Sequence, residues 1–228
     1  MMFKKPLLLI SYSLSIVIVS ALITTCYFHF FVLGNNHAPT AANEEQALTI
    51  VPNSQVEKNP IKDNNGIVEI FSYGCHFCAK NEKNVSALEA RLPAGSKIIR
   101  IHLSNSQNTG LASFAPVFAT LTVMGIEPQY RESAYKAVIK DNVKLNDPAQ
   151  LEKWLQQNDI NIQDYNKASQ SQARQALVAY MTDITRYYSI KATPTFIVNK
   201  KWLAQQDRDF PAFADQLLSL LQHDKPLE

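Results

Sequence analysis

Ile67-Val68-Glu69-Ile70-Phe71-Ser72-Tyr73-Gly74-Cys75-His76-Phe77-Cys78 is the stretch on which the reading of this 228-residue chain turns. Its first half, Ile67 to Ser72, is short, apolar and rich in β-branched residues, the pattern of a buried strand. From Ala79 to Leu92 there is neither Gly nor Pro, and a helix is predicted. Cys75 and Cys78 stand at i and i+3 on its first turn, on one face and within disulfide reach. A helix N-terminus presents free N–H groups and positive potential, which stabilise a thiolate. The thiolate is the attacking species in thiol–disulfide exchange. The pattern points to a redox centre; the alternatives are an inert structural pair or part of a shared metal site.

Outward from this stretch, Pro93-Ala94-Gly95 stops the helix and Lys97 to Leu103 reads as a second strand. Strand–helix–strand of this length predicts a parallel pair. Strand signals then vanish for about 85 residues. Helices are predicted from Leu111 to Met124, from Gln129 to Asp141 behind Pro128, and after Asp147, an N-cap followed by Pro148 and Gln150. A long helix is predicted from Asp164 to about Tyr188, with Ala173, Leu177, Tyr180, Met181 and Ile184 in register. Strands return at Thr195 to Val198 and, past an Asn199-Lys200-Lys201 turn, at Trp202-Leu203; a helix from about Phe210 to His223 follows. The expectation is an α/β domain, 66–108 and 189–228, holding an all-helical insertion, 109–188. Residues 34–65 read as a polar tether with a short strand near Leu48 to Val51.

Composition narrows the function classes. The formal charge is +2, and Lys4 and Lys5 account for both charges, because the rest of the chain carries 20 basic and 20 acidic residues. No block of like charge appears, so binding to nucleic acid through a basic surface has no support. The three cysteines, Cys26, Cys75 and Cys78, exclude a disulfide framework and a four-cysteine zinc site from one chain. No metal site and no bound cofactor are expected.

Leu7 to Leu33 is 27 residues without Asp, Glu, Lys or Arg, enough for a membrane-spanning helix of about 20 residues. Residues 1–33 therefore read as a signal anchor; a signal peptide cleaved near Val19-Ser20-Ala21 is the alternative. Ile23-Thr24-Thr25-Cys26 loosely matches a lipidation site, and the plainer reading of Cys26 is an apolar residue of the anchor. Lys4 and Lys5 before the span place the N-terminus in the cytoplasm and the domain outside it, in the kind of compartment where disulfides persist.

Two neighbours of the cysteines carry chemistry. His76, beside Cys75, is placed to lower its pKa; an exposed helix-start residue of small effect is the alternative. Glu69 sits in a strand apolar on both faces, so its carboxyl is expected to be buried and its pKa raised; a satisfied structural carboxyl is the alternative.

Glu69 to Cys78 resembles the active-site strand and helix of DsbA-like thiol–disulfide oxidoreductases, a branch of the thioredoxin-like superfamily. Thr193-Pro194-Thr195-Phe196 resembles their second signature, a cis-proline opening a strand. The separation of 119 positions from Cys75 to Pro194 matches a DsbA-like helical insertion. The resemblance, from about Gly66 to Gln222, implies Cys75 as nucleophile, Cys78 as resolving thiol, and Glu69 as a buried acid that exchanges a proton with Cys78. It also implies that the Thr193 backbone pairs with an extended substrate. Joined to the anchor read in residues 1–33, which is unusual among relatives that are often soluble and periplasmic, the resemblance implies a monomeric, exported, inner-membrane-tethered dithiol oxidase with its catalytic domain in the periplasm. It acts on unfolded exported proteins with free thiols and is reoxidised by a quinone-linked membrane partner. His-Phe replaces the Pro-His usual between the family's cysteines. Thr193 replaces the Val of its best-known oxidases and is typical of related isomerases and reductases, the alternative within the enzyme class. A non-catalytic membrane-anchored binding or chaperone module is the alternative outside it.

Overall fold

The computed structural model describes residues 19–22, 24–25, 47–62 and 66–227. The expected membrane segment is described only at 19–22 and 24–25, and Cys26 and the tether residues 34–46 and 63–65 lie outside the described residues. Among the described residues, no helix is long and apolar enough to cross a membrane.

The unit from Gln46 to Glu228 is built on five strands: β1 (Leu48–Ile50), β2 (Gly66–Phe71), β3 (Lys97–His102), β4 (Thr195–Val198) and β5 (Trp202–Gln205). Their order is β1-β5-β4-β2-β3. Only β2 and β3 run parallel, and the helix α2 (His76–Glu89) crosses over between them. The predicted strand–helix–strand unit is therefore present. A one-turn helix α1 (Asn53–Val56) follows β1, and Val51 and Ile61 beside it are buried, so these residues join the core.

Strand alternation sorts the side chains into two layers. Ile67, Ile98, Phe196 and Val198 face one side, where Val85 and Leu88 of α2 and Phe213 and Leu217 of α8 (Phe210–His223) cover them. Val68, Ile70, Ile101 and Ile197 face the other, where the insertion packs through Phe118, Leu121, Met181 and Ile184.

The insertion differs in detail from the helices read in sequence. The Leu111–Met124 segment is a short 3₁₀ turn, Gly110–Phe114, followed by α3 (Ala115–Val123). The Gln129–Asp141 segment starts earlier, as α4 (Glu127–Tyr135), and ends in a π turn, Lys136–Lys140. Asp147 caps α5 (Pro148–Gln157) by accepting from the Gln150 N–H at 3.0 Å, but the Gln150 side chain bonds the Lys144 N–H instead of closing a capping box. The expected long helix is two, α6 (Ile162–Ser169) and α7 (Gln172–Tyr187). Asn161 and Ser171 cap them, accepting from the Asp164 and Arg174 N–H groups.

Candidate active site

The two cysteines sit where β2 hands over to α2. Cys75 is the N-cap of α2 in extended backbone and Cys78 lies on its first turn. They form a disulfide with Cα atoms 5.2 Å apart. The Cys78 N–H points at Cys75 Sγ, 3.1 Å away. Both cysteines are buried, Cys75 at 5% exposure slightly less so than Cys78 at 1%. His76 and Phe77, between them, are both exposed.

From the far end of the insertion the chain returns through Thr193–Pro194, whose peptide bond is cis, directly into β4. This brings the Thr193 carbonyl oxygen to 3.4 Å from Cys75 Sγ. The disulfide sulfur carries no proton, so this is a close contact, which a Cys75 thiol would turn into a hydrogen bond. A groove of about 570 Å³ opens beside it, lined by Phe77, Lys80, Thr193, Pro194 and Arg208 among others. Asn81 of α2 bonds Gln206 beyond β5 at 2.7 Å along its wall.

Glu69 lies beneath α2. It is 1% exposed, opposite Arg100 in the parallel register and Phe196 in the antiparallel one. Its Oε2 is 3.1 Å from Arg100 Nη1, without an aligned hydrogen bond. Arg100 also holds Glu82 of α2 at 2.8 Å; Glu82 meets Arg131 of α4 at 3.1 Å; and Arg131 clasps Glu127. Three carboxylates thus alternate with two guanidinium groups. Burial is the main cause that lifts Glu69 to a pKa of about 7; Arg100 opposes it and Glu82 adds to it.

The six candidate residues, Cys75, Cys78, His76, Glu69, Thr193 and Pro194, fall around this junction of β2, α2 and the loop before β4. The sequence reading missed the charged partners Arg100, Glu82, Arg131 and Glu127, and two buried groups, Tyr73 and His102. A charge inside the apolar strand Lys97–Leu103 was a usable signal for Arg100; its pairing with Glu69 needs the strand register. Among the described residues, no three His, Cys, Asp or Glu side chains gather as a metal site.

Comparison with known proteins places this geometry in context. A family model described as thioredoxin matches residues 62–216. The thiol:disulfide interchange protein DsbA of Pseudomonas syringae pv. tomato is 25% identical over 136 residues, 60% of this chain and 63% of that protein. The DsbA of Azotobacter vinelandii is 28% identical over 137 residues, again 60% and 63%. The chain thus spans about 63% of the length of these curated relatives. Solved structures share the fold: the DsbA from Klebsiella pneumoniae superposes with a TM-score of 0.61 at 22% identity, covering 76% of this chain and 92% of that one. The DsbA from Xylella fastidiosa gives 0.65 at 15% identity, over 78% and 94%.

Proposed function

This chain belongs to the thioredoxin family, and from that membership we propose a thiol:disulfide oxidoreductase that introduces disulfides into client proteins, with Cys75 as nucleophile and Cys78 as resolving thiol. The observation that carries the reading is the Cys75–Cys78 disulfide at the N-cap of α2, with the Thr193 carbonyl 3.4 Å from Cys75 Sγ.

The chemistry balances as two exchanges. A client thiolate attacks Cys75 Sγ, a mixed disulfide forms, the Cys75–Cys78 bond breaks and Cys78 leaves as a thiolate. A second client thiolate attacks the client sulfur of the mixed disulfide and expels Cys75. The client loses two electrons and becomes a disulfide; the enzyme gains them as a dithiol. The Cys78 N–H and the first turn of α2 stabilise the Cys75 thiolate. Glu69, titrating at about 7 under α2, is the proton donor to Cys78. His76, on the first turn, favours the Cys75 thiolate. An extended client segment lies in the groove and pairs with the Thr193 backbone. The domain works in the periplasm on exported proteins with free thiols, held at the inner membrane by residues 7–33 and reoxidised by a quinone-linked membrane protein.

Cys78→Ala is expected to accumulate mixed disulfides with clients on non-reducing gels, and Cys75→Ala to accumulate none; oxidase activity in Cys75→Ala sinks the assignment. The tether is tested by fractionation, where the full-length protein stays with membranes at its unprocessed mass; a mature start near Leu22 or Cys26 overturns it. A second reading, isomerase or reductase, draws on Thr193 beside the disulfide. Equilibration with glutathione separates them. The oxidase reading expects a potential nearer the DsbA reference of about −120 mV than the thioredoxin reference of about −270 mV, and a value near the latter promotes the reductase.

A further inference from the structure

We propose that Tyr73 is a positioning residue for the nucleophile, anchored through its backbone by His102 and through its hydroxyl by Glu127. The inference rests on the reading of Cys75 as the reacting thiol.

Tyr73 stands two residues before Cys75 in the turn between β2 and α2 and is fully buried. That turn has no ladder partners of its own; a backbone bond from the Cys75 N–H to the Ser72 carbonyl at 2.9 Å closes it, and side chains anchor it to its surroundings. Its backbone N–H donates to His102 Nε2 at 3.1 Å. The other ring nitrogen of His102, Nδ1, lies 2.7 Å from the Leu103 carbonyl. A carbonyl only accepts, so Nδ1 carries the proton and Nε2 is the acceptor Tyr73 requires. The ring is wedged against Phe71, Tyr73 and Phe118. Burial lowers His102 to about 4, which keeps this neutral form through the neutral and mildly acid range.

The Tyr73 hydroxyl donates to Glu127 Oε1 at 3.0 Å. Glu127 opens α4 and is 3% exposed. Arg131 ties that carboxylate to Glu82, one turn past Cys78 on α2. The contacts close a bracket. From Cys75 the chain runs back to Tyr73, across to Glu127 and Arg131 in the insertion, and returns through Glu82 to the helix that carries Cys78. When the disulfide is reduced, the covalent link between the sulfurs opens and the bracket remains. It holds Cys75 Sγ within reach of the Cys78 N–H, where the thiolate is stabilised.

Tyr73→Phe tests this without changing charge or shape. The midpoint of the Cys75 thiolate absorbance titration, read in reduced protein, is expected to rise by about half a pH unit, a roughly threefold loss of thiolate preference. His102→Leu removes the backbone acceptor and is expected to raise it likewise. His102→Gln, which sets an oxygen near the place of Nε2, is expected to restore most of the wild-type midpoint. The melting temperatures of both redox forms are measured alongside. Equal losses in the two forms with an unmoved thiolate midpoint in Tyr73→Phe overturn the proposal and leave Tyr73 a packing residue. Wild-type protein that fails to oxidise a dithiol peptide overturns the oxidase reading, while the titration still decides the anchor.

Discussion

Glu69 and His102 are both fully buried, and their proton equilibria move in opposite directions. Glu69 rises from 4.5 to about 7, so the fold binds its proton more tightly than the unfolded chain does. Its contribution to stability is present below about 4.5 and is lost as pH rises through about 7. His102 falls from 6.5 to about 4, so its contribution is present above about 6.5 and is lost as pH falls toward about 4. Between pH 6.5 and 4.5 each changes stability by about 2 kcal/mol, with opposite sign. The wild-type protein is therefore expected to be nearly indifferent to pH there as far as this pair is concerned. Glu69→Gln removes one side of the balance, and urea unfolding should show it losing about 2 kcal/mol more than wild type over that interval. Equal slopes for the two proteins would contradict the assignment. The sequence declares Glu69, because a carboxylate in an apolar strand stands out. It is silent on Arg100 and His102 as partners, because each depends on the register between β2 and β3 or on the path of the turn after β2.

At the scale of elements, sequence reading did best where one local rule governs and worst where two compete. The strands and the parallel pair follow from apolar runs alone. The split of the predicted Asp164–Tyr188 helix does not: the apolar register runs through, but the Ser171 hydroxyl takes the Arg174 N–H and starts a new helix. The hairpin between β4 and β5 shows the converse, a turn marked in sequence whose conformation was not. Asn199 and Lys200 both adopt left-handed backbone, with φ of 51° and 61°, in the three-residue loop between paired Val198 and Trp202, where the Lys201 N–H closes on the Val198 carbonyl. The Asn199 amide reaches across to the Leu220 and Leu221 carbonyls near the end of α8. Asn199→Ala loses these bonds and puts a Cβ-bearing residue with no compensating side chain in the left-handed region, at a cost of about 2 kcal/mol. Asn199→Gly loses the bonds but keeps the backbone comfortable, so it should be the milder change in the same unfolding assay. A Gly variant as unstable as the Ala variant would remove the conformational part of this account.

Across the whole molecule, the helical insertion covers one face of the sheet and α2 with α8 covers the other. The candidate site lies where β2, α2, the loop before β4 and the insertion converge. The mixed α/β class, the insertion and its place between the two signature motifs were legible because they span long stretches of sequence. The alternating charges from Glu69 to Glu127 were not, since they join residues from β2, β3, α2 and α4.

The shortest strand has a consequence for how the protein is handled. β1 is three residues long, yet it lies along β5, with Gln205 N–H bonded to the Ala47 carbonyl and Val51 N–H to the Lys201 carbonyl. It therefore acts as a cover strip: without it, the outer backbone groups of β5 are left open as a template for another chain. A fragment trimmed to begin at Gly66 loses that strip together with buried Val51 and Ile61. Such a fragment is expected to stick to itself edge to edge, with sedimentation rising with concentration, where one beginning at Gln46 stays unchanged. Identical sedimentation of the two fragments would mean that β5 is shielded by something other than β1.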